Sequence, residues 1–105
     1  MADFTQAFVK RALAPRLRGH GRITVKRSSE GAFTIVYCHH SRWNGRPVTL
    51  PIARLRLTGG KLQLFWQRAN GRWAAYEDDR CKPFIGSLDA CVRVICCDRW
   101  GCFWG

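Results

Sequence analysis

The segment Lys61–Tyr76, with the sequence KLQLFWQRANGRWAAY, constrains the fold more than any other part of the chain. Its centre, Asn70-Gly71, separates two strand-like runs, and this dipeptide is the strongest short-range signal for a tight hairpin turn. Gly59-Gly60 and Asn44-Gly45 supply two further signals of the same kind. The spacing of the three turns predicts consecutive antiparallel strands joined by short loops.

An amphipathic helix is predicted at the N-terminus. Its apolar positions recur at helical spacing; they are Phe4, Phe8, Ala12 and Leu13. Pro15, followed by Gly19-His20-Gly21, is expected to end the helix. A basic amphipathic helix can also lie on a membrane surface, but the short length of this one favours packing onto a sheet.

The strands are predicted to begin at Arg22. Ile23 and Val25 alternate with polar residues, Ala32–His40 is a β-rich run, and Val48–Leu57 forms the next strand. Within this last strand, Pro51 cannot donate a ladder hydrogen bond. A bulge or an edge position is therefore expected near it.

A second helix is predicted after the last hairpin. Ser87 is a good N-cap residue, and one helical face after it is apolar, with Leu88, Cys91, Val92 and Ile95. The aromatic ending, residues 99–105, is expected to pack against the sheet. At 105 residues we predict a single α+β domain over residues 1–105. It is a five-stranded antiparallel β-meander with an N-terminal and a C-terminal helix packed on the sheet.

The predicted turns determine which side chains share a face of the sheet. With a two-residue loop at each turn, the core face carries Leu55, Leu57, Leu62, Leu64, Trp66, Trp73 and Ala75. The opposite face carries Arg54, Arg56, Phe65 and Tyr76, with Arg72 nearby. In this register Arg68 faces Trp73, and a cation–π contact there is expected to stabilise the hairpin by roughly 0.5–1 kcal/mol.

Net charge points to a polyanionic ligand. The formal charge is +11, and arginines outnumber lysines by 14 to 4. Arginine binds phosphate in a bidentate manner and stacks on aromatic rings. The charge also has a plainer interpretation, because an arginine-rich composition by itself aids solubility.

The nucleic-acid hypothesis rests on five residues of one predicted face: Arg54, Arg56, Phe65, Arg72 and Tyr76. Exposed aromatic side chains can stack on unpaired bases while arginine neutralises phosphate. The same register, however, puts further apolar residues on this face: Phe33, Ile35, Tyr37 and Ile52. Such a face also suits burial under a helix, and a bulge at Pro51 would exchange the faces before it.

Metal binding and catalysis are weaker hypotheses. The candidate zinc ligands are Cys38, His39, His40, Cys96, Cys97 and Cys102. They form no C-x-x-C knuckle, and neighbours on a strand point to opposite faces, so buried inert thiols are favoured and no cofactor is predicted.

For an enzyme, Cys38 with a histidine or the acidic run Glu77-Asp78-Asp79 could be considered. Neither has a partner defined by spacing, so the chain is not predicted to be an enzyme. The alternative to polyanion binding is a protein-interaction domain anchored by aromatic and arginine side chains.

Location in the cell is predicted from the absence of export signals in this sequence. The first residues contain no unbroken apolar run of the signal-peptide type, and no stretch approaches the roughly 18 apolar residues of a membrane span. An even cysteine count indicates disulfides only in a secretory context. A cytoplasmic protein with reduced thiols and no membrane span is therefore expected, and the oligomeric state is left open.

The chain resembles DUF3024, a family of small bacterial domains of unknown function. The resemblance rests on Phe65–Asn70 (FWQRAN) with Arg72-Trp73 and Tyr76 after it, on Pro51–Arg54 (PIAR), and on the ending Gly101–Gly105 (GCFWG). The chain departs from the family pattern at His40–Trp43 (HSRW), where Arg-Pro is expected before x-Trp. The resemblance implies a fold with two terminal helices around an antiparallel sheet, and it implies no activity.

Overall fold

The computed structural model of the chain describes residues 2–17, 19–27 and 31–104. The helices are α1 (Ala2–Leu17) and α2 (Leu88–Cys97), and the strands are β1 (Arg22–Arg27), β2 (Ala32–His40), β3 (Pro47–Thr58), β4 (Lys61–Gln67), β5 (Trp73–Ala75) and β6 (Ile85–Gly86). Strands β1 to β5 form an antiparallel meander, and the short β6 pairs with β4 alongside β5. The predicted α+β class and meander order are confirmed.

The hairpin between β3 and β4 has the predicted register. Thr58 pairs with Lys61, so the loop contains only Gly59 and Gly60. Both glycines have positive φ, 55° and 80°, as a type I′ turn requires. A loop of this type matches the twist of the flanking strands and therefore sets the pairing of Leu55 with Leu64 further along.

The turn between β4 and β5 is one residue longer than predicted. The N–H of Arg68 donates to the carbonyl oxygen of Arg72 at 2.8 Å, and the N–H of Gly71 donates to the carbonyl oxygen of Arg68 at 2.8 Å. The loop therefore contains Ala69, Asn70 and Gly71, with Gly71 in the left-handed region at φ 85°. This is the common three-residue hairpin loop, a type I turn followed by a left-handed residue.

This extra loop residue makes the predicted register of β5 wrong. Phe65 pairs with Ala75 instead of Tyr76, and Gln67 pairs with Trp73. Because side chains alternate along a strand, a shift of one residue moves every side chain of β5 to the other face. Trp73 therefore shares a face with Phe65, and Tyr76 lies on the opposite, core face.

The bulge expected near Pro51 is present in β3. Ile35 pairs with Ala53 but Val36 pairs with Pro51, so Ile52 is the extra residue. The bulge exchanges the faces, as an extra residue must. The apolar side chains of β2 that were assigned to the arginine face therefore lie on the core face; they are Phe33, Ile35 and Tyr37.

Both helices pack on a single face of the sheet, which we call the covered face. One core cluster joins Val9 and Leu13 of α1, the predicted apolar face of α2, and buried strand residues; these include Cys91, Val92, Ile95, Ile23, Ile35, Leu55 and Leu64. Helix α1 contains Pro15 and ends at Leu17, so the proline lies in its last turn and the expectation that the helix stops at Pro15 is corrected by two residues. The side chain of Phe4 and the turn at residues 28–30 lie outside the described residues.

Helix α2 and the aromatic tail are fastened to each other by side-chain hydrogen bonds. Ser87 caps α2 as predicted, with its Oγ accepting from the N–H of Ala90 at 3.1 Å. At the other end Asp98 adopts a left-handed conformation, and its carboxylate accepts from the N–H groups of Phe103 and Trp104 at 3.0 Å each. The expectation of an ordered tail packed on the sheet is met, since Phe103 joins the core cluster.

Candidate functional site

The sheet face opposite the helices, which we call the open face, carries a row of side chains that are mostly polar or aromatic. The row crosses five strands in register and consists of Lys26, Thr34, Arg54, Phe65 and Ala75. Adjacent members belong to neighbouring strands, which lie about 4.8 Å apart in a sheet. Arg54 is thus placed directly between Thr34 and the ring of Phe65.

A cleft of about 210 Å³ opens on this face. Its lining residues are Ala32, Arg54, Arg56, Phe65 and Trp73. Both rings are half-buried, so each keeps part of its surface available to solvent. Two guanidinium groups and two aromatic rings therefore border one depression.

The structure brings together three of the five predicted site residues. Arg54, Arg56 and Phe65 line the cleft. Tyr76 does not, because it is only 7% exposed on the covered face, with its ring 5.3 Å from that of Phe103. Burial raises the pKa of Tyr76, in keeping with a core role. Arg72 lies at the end of the β4–β5 loop and is not among the cleft residues.

Trp73 is a cleft residue that the predicted register puts on the wrong face of the sheet. Asn70-Gly71 by itself could not have placed it, because glycine suits the second position of a two-residue loop as well as the last position of a three-residue loop. Only the second arrangement puts an indole beside Phe65. The predicted contact of Arg68 is also corrected, since its guanidinium lies 5.7 Å from the ring centroid of Trp66.

Positive charge dominates the open face. Its cationic residues are Arg22, Lys26, Arg54, Arg56 and Lys61, and no strand contains an acidic residue. Within the described residues, the ion pairs join Arg16 to Asp98, Arg93 to Asp89 and Arg99 to Asp79. In that part of the chain no carboxylate neutralises the two cleft arginines. The cleft therefore offers unpaired guanidinium groups to an anion.

The acidic run considered for catalysis has a structural role. One Asp78 carboxylate oxygen accepts from the N–H groups of Arg80 and Lys82 at 2.9 and 3.0 Å. These hydrogen bonds lower the pKa of Asp78, because they stabilise its charged form. Asp79 forms an ion pair with Arg99 at 3.2 Å. The run thus stabilises a turn and binds a neighbouring side chain.

The six cysteines, all within the described residues, are free thiols. Cys91 is fully buried in the core, and burial raises its pKa to about 11, as expected for an inert structural thiol. Among the residues that the structure describes, no three His, Cys, Asp or Glu side chains are grouped so that they could hold a metal ion. Neither described helix is long and apolar enough to span a membrane.

Comparison with known proteins identifies a family. The family model DUF3024, described as a domain of unknown function, matches residues 2–105 and so covers almost the entire chain. No curated protein and no solved structure matches this chain. The resemblance seen in the sequence motifs is thereby confirmed.

Proposed function

This chain belongs to the DUF3024 family, and, because that family carries no assigned activity, we propose from the geometry of the open face that it is a non-catalytic module that binds single-stranded nucleic acid. The observation that carries the proposal is the cleft in which Phe65 and Trp73 lie beside Arg54 and Arg56. Both helices pack on the other face, and the two arginines and two aromatic rings of the cleft keep part of their surface exposed.

Aromatic rings on an uncovered sheet favour unpaired bases over a duplex. A base in a single strand can leave its neighbours and stack on a protein ring, which contributes about 1–3 kcal/mol per base. In a duplex the bases are already stacked and paired, so the rings of Phe65 and Trp73 would gain little. Arg54 and Arg56 are placed to neutralise the phosphates of the strand that brings those bases.

The proposal is tested by fluorescence anisotropy of a labelled single strand and of the matching duplex. We expect the single strand to bind more tightly. Between about 50 and 200 mM salt its affinity should fall by about 20-fold if three phosphates are contacted, because bound counterions are released from the strand. Absence of binding at the lower salt concentration would reject the proposal.

Matched variants locate the site. Arg54→Ala should weaken binding by about tenfold, because it removes a charged phosphate contact. Arg11→Ala removes the same charge from an exposed position of α1 and should have less than about a twofold effect, since distant exposed charges are screened. Phe65→Ala should weaken the single-strand complex, whereas Phe65→Trp should preserve it. Equal losses for Arg54→Ala and Arg11→Ala would show that charge acts without a defined cleft.

A protein-interaction module is the second candidate. It is favoured by Trp100, an indole that is 63% exposed near the acidic run, because tryptophan is enriched among residues that dominate protein interfaces. Salt separates the two functions. A mainly apolar protein complex should keep its affinity between about 50 and 200 mM salt, in contrast to a nucleic-acid complex.

We further propose that the protein works in a reducing compartment such as the cytoplasm. Six free thiols in a small domain support this, because disulfides form and persist in oxidising environments. Location is tested by fractionation of cells that produce the full chain.

A further inference from the structure

A second depression, which we call the histidine basin, lies at the end of the molecule where α1, the start of β1 and the β2–β3 loop meet. Its volume is about 710 Å³. Its lining residues include Arg16, His20, Gly21, Tyr37, His39, His40, Arg42 and Trp43. None of its lining residues belongs to the cleft of the open face. The basin is therefore a separate place for a ligand.

The floor of the basin is preformed. The Tyr37 hydroxyl donates to the carbonyl oxygen of His20 at 3.2 Å, and its ring is stacked on that of His39 at 4.9 Å between centroids. Gly21 packs so closely that a β-carbon there would lie 2.5 Å from the carbonyl oxygen of Cys38. Groups held in this way lose little further freedom when a ligand binds.

The charge of the basin suits an anion. Its polar lining includes two arginines and all three histidines of the chain, and no acidic residue lines it. The nearby carboxylate of Asp98 is engaged with Arg16 at 3.6 Å. Arg42, in contrast, has no ion-pair partner among the described residues. Its guanidinium is free to take a phosphate in a bidentate manner.

The rim of the basin presents an indole in an open position. Trp43 is 97% exposed and belongs to a loop that is ordered by hydrogen bonds. Ser41 N–H donates to Arg46 O at 2.8 Å, Gly45 N–H donates to Ser41 O at 2.9 Å, and Ser41 Oγ accepts from Trp43 N–H at 3.2 Å. A solvent-exposed indole on an ordered loop is available to stack on a planar base.

We infer that the histidine basin is a nucleotide site, with the base stacked on Trp43 and the phosphate bound by Arg42 and the neighbouring histidines. The ligand is one base joined to one phosphate, either as a free mononucleotide or as one residue of a longer strand. The inference is independent of the open-face site, because it uses none of the residues of that cleft.

The test follows the indole N–H signals of the full chain by NMR during titration with AMP, adenosine and inorganic phosphate. The Trp43 signal is assigned from a Trp43→Phe variant. We expect AMP to shift this signal with a Kd of about 1 mM or tighter. Adenosine and phosphate should each bind at least about fivefold more weakly, because each lacks half of the recognised group.

Variants separate the basin from the rest of the surface. Trp43→Ala should weaken AMP binding by about fivefold or more, the loss of one stacking contact, and Arg42→Ala should weaken it as well. Trp100→Ala, which removes another exposed indole, should leave it unchanged. So should Arg11→Ala, which removes an exposed charge of α1 that belongs neither to the basin nor to the cleft.

The source of the nucleotide follows from a parallel measurement with the labelled single strand. If Trp43→Ala weakens the strand complex, the basin receives a residue of the strand; if AMP binds and the strand complex is unchanged, it receives a free nucleotide. The inference is overturned if neither ligand depends on Trp43, or if phosphate alone binds as tightly as AMP.

Discussion

The two faces of the sheet share the same strands and differ in what covers them, because both described helices pack on one face and neither packs on the other. On the covered face, Leu55 and Leu64 pair across strands under two helices and are fully buried. On the open face, the neighbouring pair Arg54 and Phe65 lies beside a cleft. One residue step along a strand separates a position that stabilises the fold from a position that can contact a ligand.

This difference shows how the chain combines a strong positive charge with a stable core. The described strands carry cations but no carboxylates, so their charge repulsion is not relieved within the sheet. Stability must then come from the covered face, where apolar burial contributes about 25 cal/mol per Å². The open face is left with unpaired charge that a polyanion can neutralise.

The sharpest way to break the comparison is a pair of adjacent substitutions on β4. Leu64→Ala should lower the free energy of unfolding by about 3 kcal/mol, because it removes a fully buried side chain and leaves a cavity. Phe65→Ala should cost only about 1 kcal/mol, since that ring is half-buried at the surface. Urea denaturation followed by circular dichroism measures the free energy of unfolding of both variants. Equal losses of this free energy would mean that Phe65 is as deeply buried as Leu64.

The alkylation rates of the cysteines compare the two faces of the sheet without any substitution. At pH 8 a raised pKa of about 11 lowers the thiolate fraction of Cys91 by about 100-fold relative to an ordinary thiol with a pKa near 9. Cys38 on the open face is half-buried, and Cys97 is exposed. Mass spectrometry of the native protein after brief alkylation should find Cys97 modified, then Cys38, with Cys91 protected. Early modification of Cys91 would contradict the core described above.

The same ionisation gives the covered face a pH dependence. The folded state holds the Cys91 proton up to a pKa of about 11, whereas the unfolded state loses it near pH 9. Above pH 9 the unfolded state binds fewer protons, so the free energy of unfolding falls as the pH rises to 11. This contribution is absent from a Cys91→Ala variant, which serves as its control.

A smaller effect is expected from the carboxylate that fastens the tail over the covered face. The Asp98 side chain is only 4% exposed and accepts two backbone N–H groups. Asp98→Asn should cost about 2 kcal/mol, because one charged acceptor is lost. Asp89→Asn, at an exposed pair with Arg93, should cost at most about 0.5 kcal/mol. The two variants are compared by thermal unfolding. Similar midpoint temperatures would contradict the role of Asp98 in fastening the tail.

Much of the covered face could be predicted from the sequence. Ser87 and the apolar residues behind it indicate α2 because capping and helical periodicity are local properties. Gly59-Gly60 likewise indicates a loop length, since both residues adopt positive φ. The bulge near Pro51 was predictable as well, because proline cannot take part in a ladder as a donor.

The open face was predictable only in part. Arg54, Arg56 and Phe65 follow from the β3–β4 turn, whose length is unambiguous. Trp73 does not, because Asn70-Gly71 is compatible with two loop lengths and the choice depends on how β5 packs. The role of Asp98 was hidden for a similar reason, since its partners Phe103 and Trp104 come into reach only when the tail folds back.

The three-residue loop between β4 and β5 has a consequence for how such a chain can change over time. Removing Ala69 alone would leave every chemical group of the cleft in the sequence, yet it would turn the indole of Trp73 inward and the ring of Tyr76 outward. Whether the β4–β5 loop has an odd or an even number of residues decides which aromatic side chains face the solvent. A single codon gained or lost there would alter the displayed surface more than any substitution within the strand.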